Sequence, residues 1–179
     1  MALTELKSGG EFNIVEAKLT LSTGVDINLV PGNNIMGLSL FENIQTHTIT
    51  GTMTIQDSIN LGSVGPIIGQ EYFSLKIATP GLDTNEEFNI NFTDNAFMVT
   101  SLNRRVDVGN GVQATVLNFS SRERVTNSRQ RVNRTLVGTY SNIVETMLRS
   151  DLDSSKPLYI EDSVGKKRIL APNVYPFDI

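Results

Sequence analysis

The stretch Thr46-His47-Thr48-Ile49-Thr50-Gly51-Thr52-Met53-Thr54-Ile55-Gln56-Asp57 sets five threonines two residues apart. In an extended strand, successive side chains point to opposite faces. The spacing therefore predicts one long strand, with Thr46, Thr48, Thr50, Thr52 and Thr54 on a polar face and His47, Ile49, Met53 and Ile55 on a core face. A helix would scatter the threonines around its circumference. Threonine is β-branched and hydrogen-bonds sideways, which suits a sheet face that meets water or another protein.

Alternating segments surround this strand. Val15, Ala17, Leu19 and Leu21 alternate with Glu16, Lys18 and Thr20. Ile27 to Val30 is short and is closed by the turn signal Pro31-Gly32, and Ile35 to Phe41 is mostly apolar. Between Tyr72 and Ala78, Phe73, Leu75 and Ile77 alternate with Ser74 and Lys76. Phe88, Ile90 and Phe92 share a face, Phe97 to Leu102 makes a further strand, and Val112, Ala114 and Val116 alternate with Gln113, Thr115, Leu117 and Phe119. Thr79-Pro80-Gly81 through Asn85 reads as a loop, and Asn110-Gly111 is a strong hairpin signal. Strands this frequent, with no helix between them, predict an antiparallel barrel or sandwich over residues 1–120.

The pattern changes after Phe119. Ser120 or Ser121 caps a short predicted helix that runs to about Asn127. A clearer amphipathic helix is expected from about Tyr140 to Leu152, capped by Thr139 or Ser141, with Ile143, Val144, Met147, Leu148 and Leu152 as its apolar stripe. Residues 121–179 thus read as the helix-containing start of a second domain. The fold class is mainly β with some α. The ending Ile169-Leu170-Ala171-Pro172-Asn173-Val174-Tyr175-Pro176-Phe177-Asp178-Ile179 is apolar where termini are usually polar, so the chain is expected to be the amino-terminal piece of something longer.

Composition narrows the chemistry. There is no cysteine, which removes disulfides, thiolate metal sites and thiol nucleophiles together. No apolar stretch approaches a membrane span, and no basic–apolar opening suggests a secretory signal. His47 is the one histidine, and no nucleophile motif accompanies it. Phosphate loops, dinucleotide fingerprints and paired-histidine metal motifs are missing too, so no catalytic residue, cofactor or metal is expected. Asp151, Asp153, Ser155 and Asp162 share part of a calcium-loop spacing, but Lys156 stands where glycine is needed and Pro157 at the backbone-carbonyl position. Solvated acids at a helix exit explain them more simply.

Charge is uneven along the chain. Residues 1–100 carry eleven acids against three bases, and residues 101–179 carry eight against twelve. Arg122, Arg124, Arg129, Arg131 and Arg134 cluster with no lysine among them. Guanidinium forks suit carboxylates and phosphates alike. A groove-binding element or aromatic platform for nucleic acid is not apparent beside them, so the preferred reading is a protein interface with an acidic neighbour. Plain solvated surface and nucleic-acid binding are the alternatives. Together with Thr48, Thr50 and Thr52, these arginines are the candidate interface residues.

The run from Ile49 to Asn60, followed by Pro66-Ile67-Ile68-Gly69-Gln70-Glu71, then Phe119-Ser120-Ser121-Arg122-Glu123-Arg124, Arg129 to Gly138, the Ile143 helix and Pro172 to Phe177, resembles the amino-terminal part of baseplate central hub proteins of contractile-tailed phages of the T-even-like marine type. Those hubs are similar in fold to the base of type VI secretion spike proteins. The resemblance implies a non-enzymatic virion protein, made in the host cytoplasm and built into the tail baseplate. It implies a homotrimer in which each subunit gives two tail-tube-like barrels, so that a threefold spike meets a sixfold tube. The implied partners are further copies of the chain, the spike protein and tail-tube or tube-initiator proteins. A tail-tube or tube-initiator protein is the nearest alternative, and a tail-associated lysozyme or a nucleic-acid-binding protein stands further off.

Overall fold

The computed structural model describes residues 9–31, 34–57, 64–65, 67–82, 89–109 and 112–179. The chain packs as two compact units, Met1–Glu42 with Ile49–Ser121, and Asn43–Thr48 with Arg122–Ile179.

In the first unit the described residues form seven strands: β1 (Asn13–Thr20), β2 (Asp26–Asn28), β3 (Ile35–Phe41), β4 (Thr50–Asp57), β5 (Tyr72–Ala78), β6 (Asn89–Gly109) and β7 (Val112–Ser120). They make one antiparallel sheet in the order β2-β1-β5-β6-β7-β4-β3, curled into half a barrel. The fold is α+β, as the alternation implies; the expected turns at Pro31-Gly32, Thr79 to Asn85 and Asn110-Gly111 lie wholly or partly outside the described residues. The segments around Phe88–Phe92 and Phe97–Leu102, expected as two strands, are one strand, although Phe88 itself lies outside the described residues. The first half of β6 pairs with β5, from Asn89 opposite Ala78 to Met98 opposite Tyr72. Its second half pairs with β7, from Met98 opposite Ser120 to Gly109 opposite Val112. Neighbours staggered along one strand give the offset that a sheet needs in order to curl.

Bulges add local twist. Register shifts fall between Ile14 and Glu16 in β1, Phe73 and Leu75 in β5, and Val99 and Ser101 in β6. The β1 shift corrects one expectation. Ile14 packs against the core and Ala17 and Leu19 are fully buried, but Val15 is turned out to 51% exposure. Strict alternation cannot carry across an inserted residue.

The core lies on one face of this sheet. Phe73, Phe97 and Phe119 are its largest members, with ring centroids 4.9 Å apart for Phe73–Phe119 and 5.0 Å for Phe97–Phe119. Leu19, Leu29, Met53, Ile55, Leu75 and Leu117 surround them. Each large apolar side chain buried in this way contributes about 1.5–3 kcal/mol. Gly51 is required here: it sits opposite Phe119 in the β4–β7 register, and a Cβ on it would lie 2.5 Å from Cε2 of that ring and 2.7 Å from the Ser39 carbonyl oxygen. The approach to β5 is held by Glu71, which is wholly buried. Its carboxylate accepts backbone N–H bonds from Ile68 at 2.7 Å, Gly69 at 2.8 Å and Gln70 at 3.1 Å.

The second unit contains α1 (Arg122–Arg129), β8 (Val132–Gly138), α2 (Tyr140–Thr146), a π turn at Met147–Asp151, β9 (Lys167–Val174) and a 3-10 turn at Pro176–Asp178. β8 and β9 form an antiparallel pair that the sequence pattern hid, because polar residues at Asn133, Arg134 and Thr135 leave only Val132 and Leu136 buried in β8. Thr139 caps α2 by accepting the Asn142 N–H at 3.3 Å. The expected single helix to Leu152 changes pitch at Met147, where the Leu152 N–H reaches the Met147 carbonyl at 2.9 Å, an i to i+5 bond. Leu136, Ile143 and Met147 form the small core, with Ile169 and Ile179 packed on it.

Candidate functional site

The threonine ladder is real but shorter than its sequence spacing. β4 begins at Thr50, so Thr46, His47 and Thr48 are not strand residues. Asn43 ends the pattern: its side-chain oxygen accepts the Gln45 N–H at 2.8 Å and its carbonyl accepts the Thr46 N–H at 3.0 Å. A short polar side chain that bonds the backbone just ahead of it competes with strand pairing. His47 accordingly leaves the sheet and stacks on Phe177 in the second unit, centroids 4.9 Å apart and planes 13° from parallel.

From Thr50 onward the two faces separate as expected. Gly51, Met53 and Ile55 are buried, while Thr50, Thr52 and Thr54 are half-buried. Register extends their face sideways. Thr50, Thr52 and Thr54 lie opposite Phe41, Ser39 and Gly37 of β3, and opposite Ser120, Asn118 and Val116 of β7. Asn118 in turn lies opposite Ser101 of β6 and donates to its hydroxyl at 2.9 Å. The result is a patch across four strands with no charged side chain at these positions: threonine, serine and asparagine groups form its centre, the exposed Phe41 and the half-buried Val116 flank them, and Ser120 is buried. Sequence reasoning found Thr50 and Thr52 and missed Ser39, Asn118 and Ser101. The signal for Asn118 was its place between Leu117 and Phe119, both of the core face.

The arginines divide into two groups. Arg134 donates to the Asp151 carboxylate at 2.6 Å, and the Asp151 side chain is only 5% exposed. Arg122 pairs with Asp153 at 2.7 Å on the surface. Arg131 lies 3.3 Å from the ring centre of Tyr175 and donates to the Asn173 carbonyl at 3.3 Å. These three hold their own unit together. The side chains of Arg124 and Arg129 are exposed and have neither a hydrogen bond nor an ion pair among the described residues, so they are the two left for a partner. Of the acids at the helix exit, read from sequence as solvated, Asp153 is exposed as expected and Asp151 is buried, and they take ion-pair partners from 31 and 17 residues away. No local spacing announces such pairs.

The other buried carboxylates are also engaged. Glu123 accepts from Ser154 at 2.7 Å and from Lys156 at 2.8 Å. Burial pushes its carboxyl up, but the Lys156 and Ser154 hydrogen bonds outweigh that and hold it below the usual glutamate range. On the first unit, the Thr20 hydroxyl bonded to Asp26 at 2.6 Å, aided by Lys18, lowers the Asp26 carboxyl. Among the described residues no group of three or more His, Cys, Asp or Glu gathers to hold a metal ion, and no helix is long and apolar enough to cross a membrane. What the first unit offers is a surface. The chain matches no protein-family model and no curated protein sequence.

Proposed function

We propose that this chain is a structural subunit of a phage baseplate central hub, acting through contacts with copies of itself, a spike and a tail tube, and catalysing nothing. The observation that carries this reading is the uncharged patch on the outer face of a curled sheet, with hydroxyl and amide groups at its centre and Phe41 and Val116 at its edges. Such a face costs little to hydrate and is indifferent to the sign of what passes or packs against it, which suits a ring wall or a repeated subunit boundary. Three buried carboxylates, Glu71, Glu123 and Asp151, are each spent on hydrogen bonds within their own units, which favours structure over catalysis. A glycoside-cleaving site needs a poised acid and a second carboxylate across a cleft.

Arg124 and Arg129 supply the charge that orients one copy against the acidic half of the next. The test is the assembly state of the natural full-length protein, by mass photometry and negative-stain averaging. A trimer with threefold rings supports the hub. A sixfold hexamer would transfer the reading to a tail-tube or tube-initiator protein, and a monomer at high concentration would overturn it.

A further inference from the structure

The apolar stripe of α2 is wider than the core beneath it. Ile143 and Met147 join Leu136 in that core, whereas Tyr140 and Val144 remain 51% and 42% exposed. With Leu148, Ile169 and Phe177 these side chains wall an open cavity of about 330 Å³ within the second unit. The π turn begins at Met147, where the chain meets this cavity. Turns of that pitch are rare and recur at functional sites.

The lining is apolar, and its polar groups stand at the margin. His47 and Tyr140 line the cavity, and the Lys167 ammonium lies 5.9 Å from the centre of the Tyr140 ring. The imidazole, the phenol and the ammonium have no hydrogen-bond or ion-pair partner among the described residues. An ammonium only donates, a phenol donates readily, and an imidazole keeps at least one N–H. Unspent donors and one positive charge beside an apolar hollow select an apolar body with an anionic, accepting head. At roughly 30 Å³ for a water-sized group, the space holds about ten non-hydrogen atoms.

We infer that this cavity binds a small amphipathic carboxylate, with an aliphatic chain against Val144, Met147 and Leu148 and its head group at Lys167. The inference stands apart from the assembly reading and does not depend on it. It is tested on the whole chain by amide chemical-shift titration with sodium octanoate, octan-1-ol and octylammonium. Octanoate is expected to shift α2 and Ile169 saturably, with a Kd of roughly 0.1–1 mM, as suits a ligand of this size. Octylammonium should bind at least about tenfold more weakly, and Lys167→Gln should weaken octanoate about tenfold while leaving octan-1-ol unchanged. Val144→Trp should fill the hollow and abolish binding. If that variant does not fold, the shift map of the unaltered protein decides. Shifts that do not saturate, or that spread away from α2, would overturn the proposal. So would equal affinity for octanoate and octylammonium, or full affinity in Lys167→Gln.

Discussion

Gly51→Ala is the most revealing single change in the first unit. A methyl group there would fall 2.5 Å from the Phe119 ring and 2.7 Å from a backbone oxygen of β3. The ring cannot retreat freely, because Phe73 and Phe97 stand 4.9 Å and 5.0 Å behind it. The second obstacle is main chain on the neighbouring strand. Overpacking of this kind costs about 3 kcal/mol, the upper end of its usual range. Replacing glycine also narrows the unfolded ensemble, which offsets about 0.5–1 kcal/mol. The net loss is therefore about 2 kcal/mol, or about 8 °C in Tm at roughly 4 °C per kcal/mol for a unit of this size. Near-UV circular dichroism melts of Gly51→Ala, Phe119→Leu and the double variant measure it. In the Phe119→Leu background the glycine substitution should cost less than about 1 kcal/mol, because the obstructing ring edge is gone. A Gly51→Ala protein that melts within a degree of the unaltered one would refute the reasoning, as would equal costs in both backgrounds.

Arg134→Ala should destabilise the second unit by about 2 kcal/mol, since it strands the buried Asp151 carboxylate, whereas Arg124→Ala with Arg129→Ala should change its melting by less than about 0.5 kcal/mol and weaken assembly instead. Thermal melts paired with sedimentation separate the two effects. Thr115 is buried and its hydroxyl has no partner among the described residues, so Thr115→Val should raise Tm, with about 1 kcal/mol gained in urea unfolding. The lowered Glu123 carboxyl contributes stability above the ordinary glutamate range, lost as pH falls through its folded value; melts against pH should show that loss, and Glu123→Gln should flatten it. Glu71→Ala should leave three backbone N–H groups without their carboxylate acceptor, and native-state hydrogen exchange should find Ile68, Gly69 and Gln70 exchanging far faster.

The strands were legible wherever a run of apolar residues packs toward the core, as Ile35, Leu38 and Leu40 of β3 do while only half-buried. β3 and β5 run over the residues that their apolar patterns mark, Ile35 to Phe41 and Tyr72 to Ala78. The pattern failed at three kinds of place. A bulge turned Val15 outward, an Asx-type turn at Asn43 cut the ladder before Thr50, and β8 carries too few buried positions to display a period. For the candidate surface, the threonines were readable because they follow one strand, while Ser39, Asn118 and Ser101 join them only through cross-strand register. The roles of Arg122, Arg131 and Arg134 were hidden for the same reason: composition shows a cluster, and only the fold shows which members are already occupied.

The short stretch Asn43–Thr48 leaves the first unit between two adjacent strands, joins the second, and returns. The polypeptide therefore passes from one half to the other three times, and no single scissor cut parts them. A gene fragment starting at Arg122 would lack His47 and one wall of the hollow that it borders, and one stopping at Ser121 would keep a loop made for company it no longer has. Synthesis has an order to respect as well: Asn43–Thr48 leaves the ribosome long before Arg122–Ile179, so this early stretch must wait for most of the chain before its own unit can close.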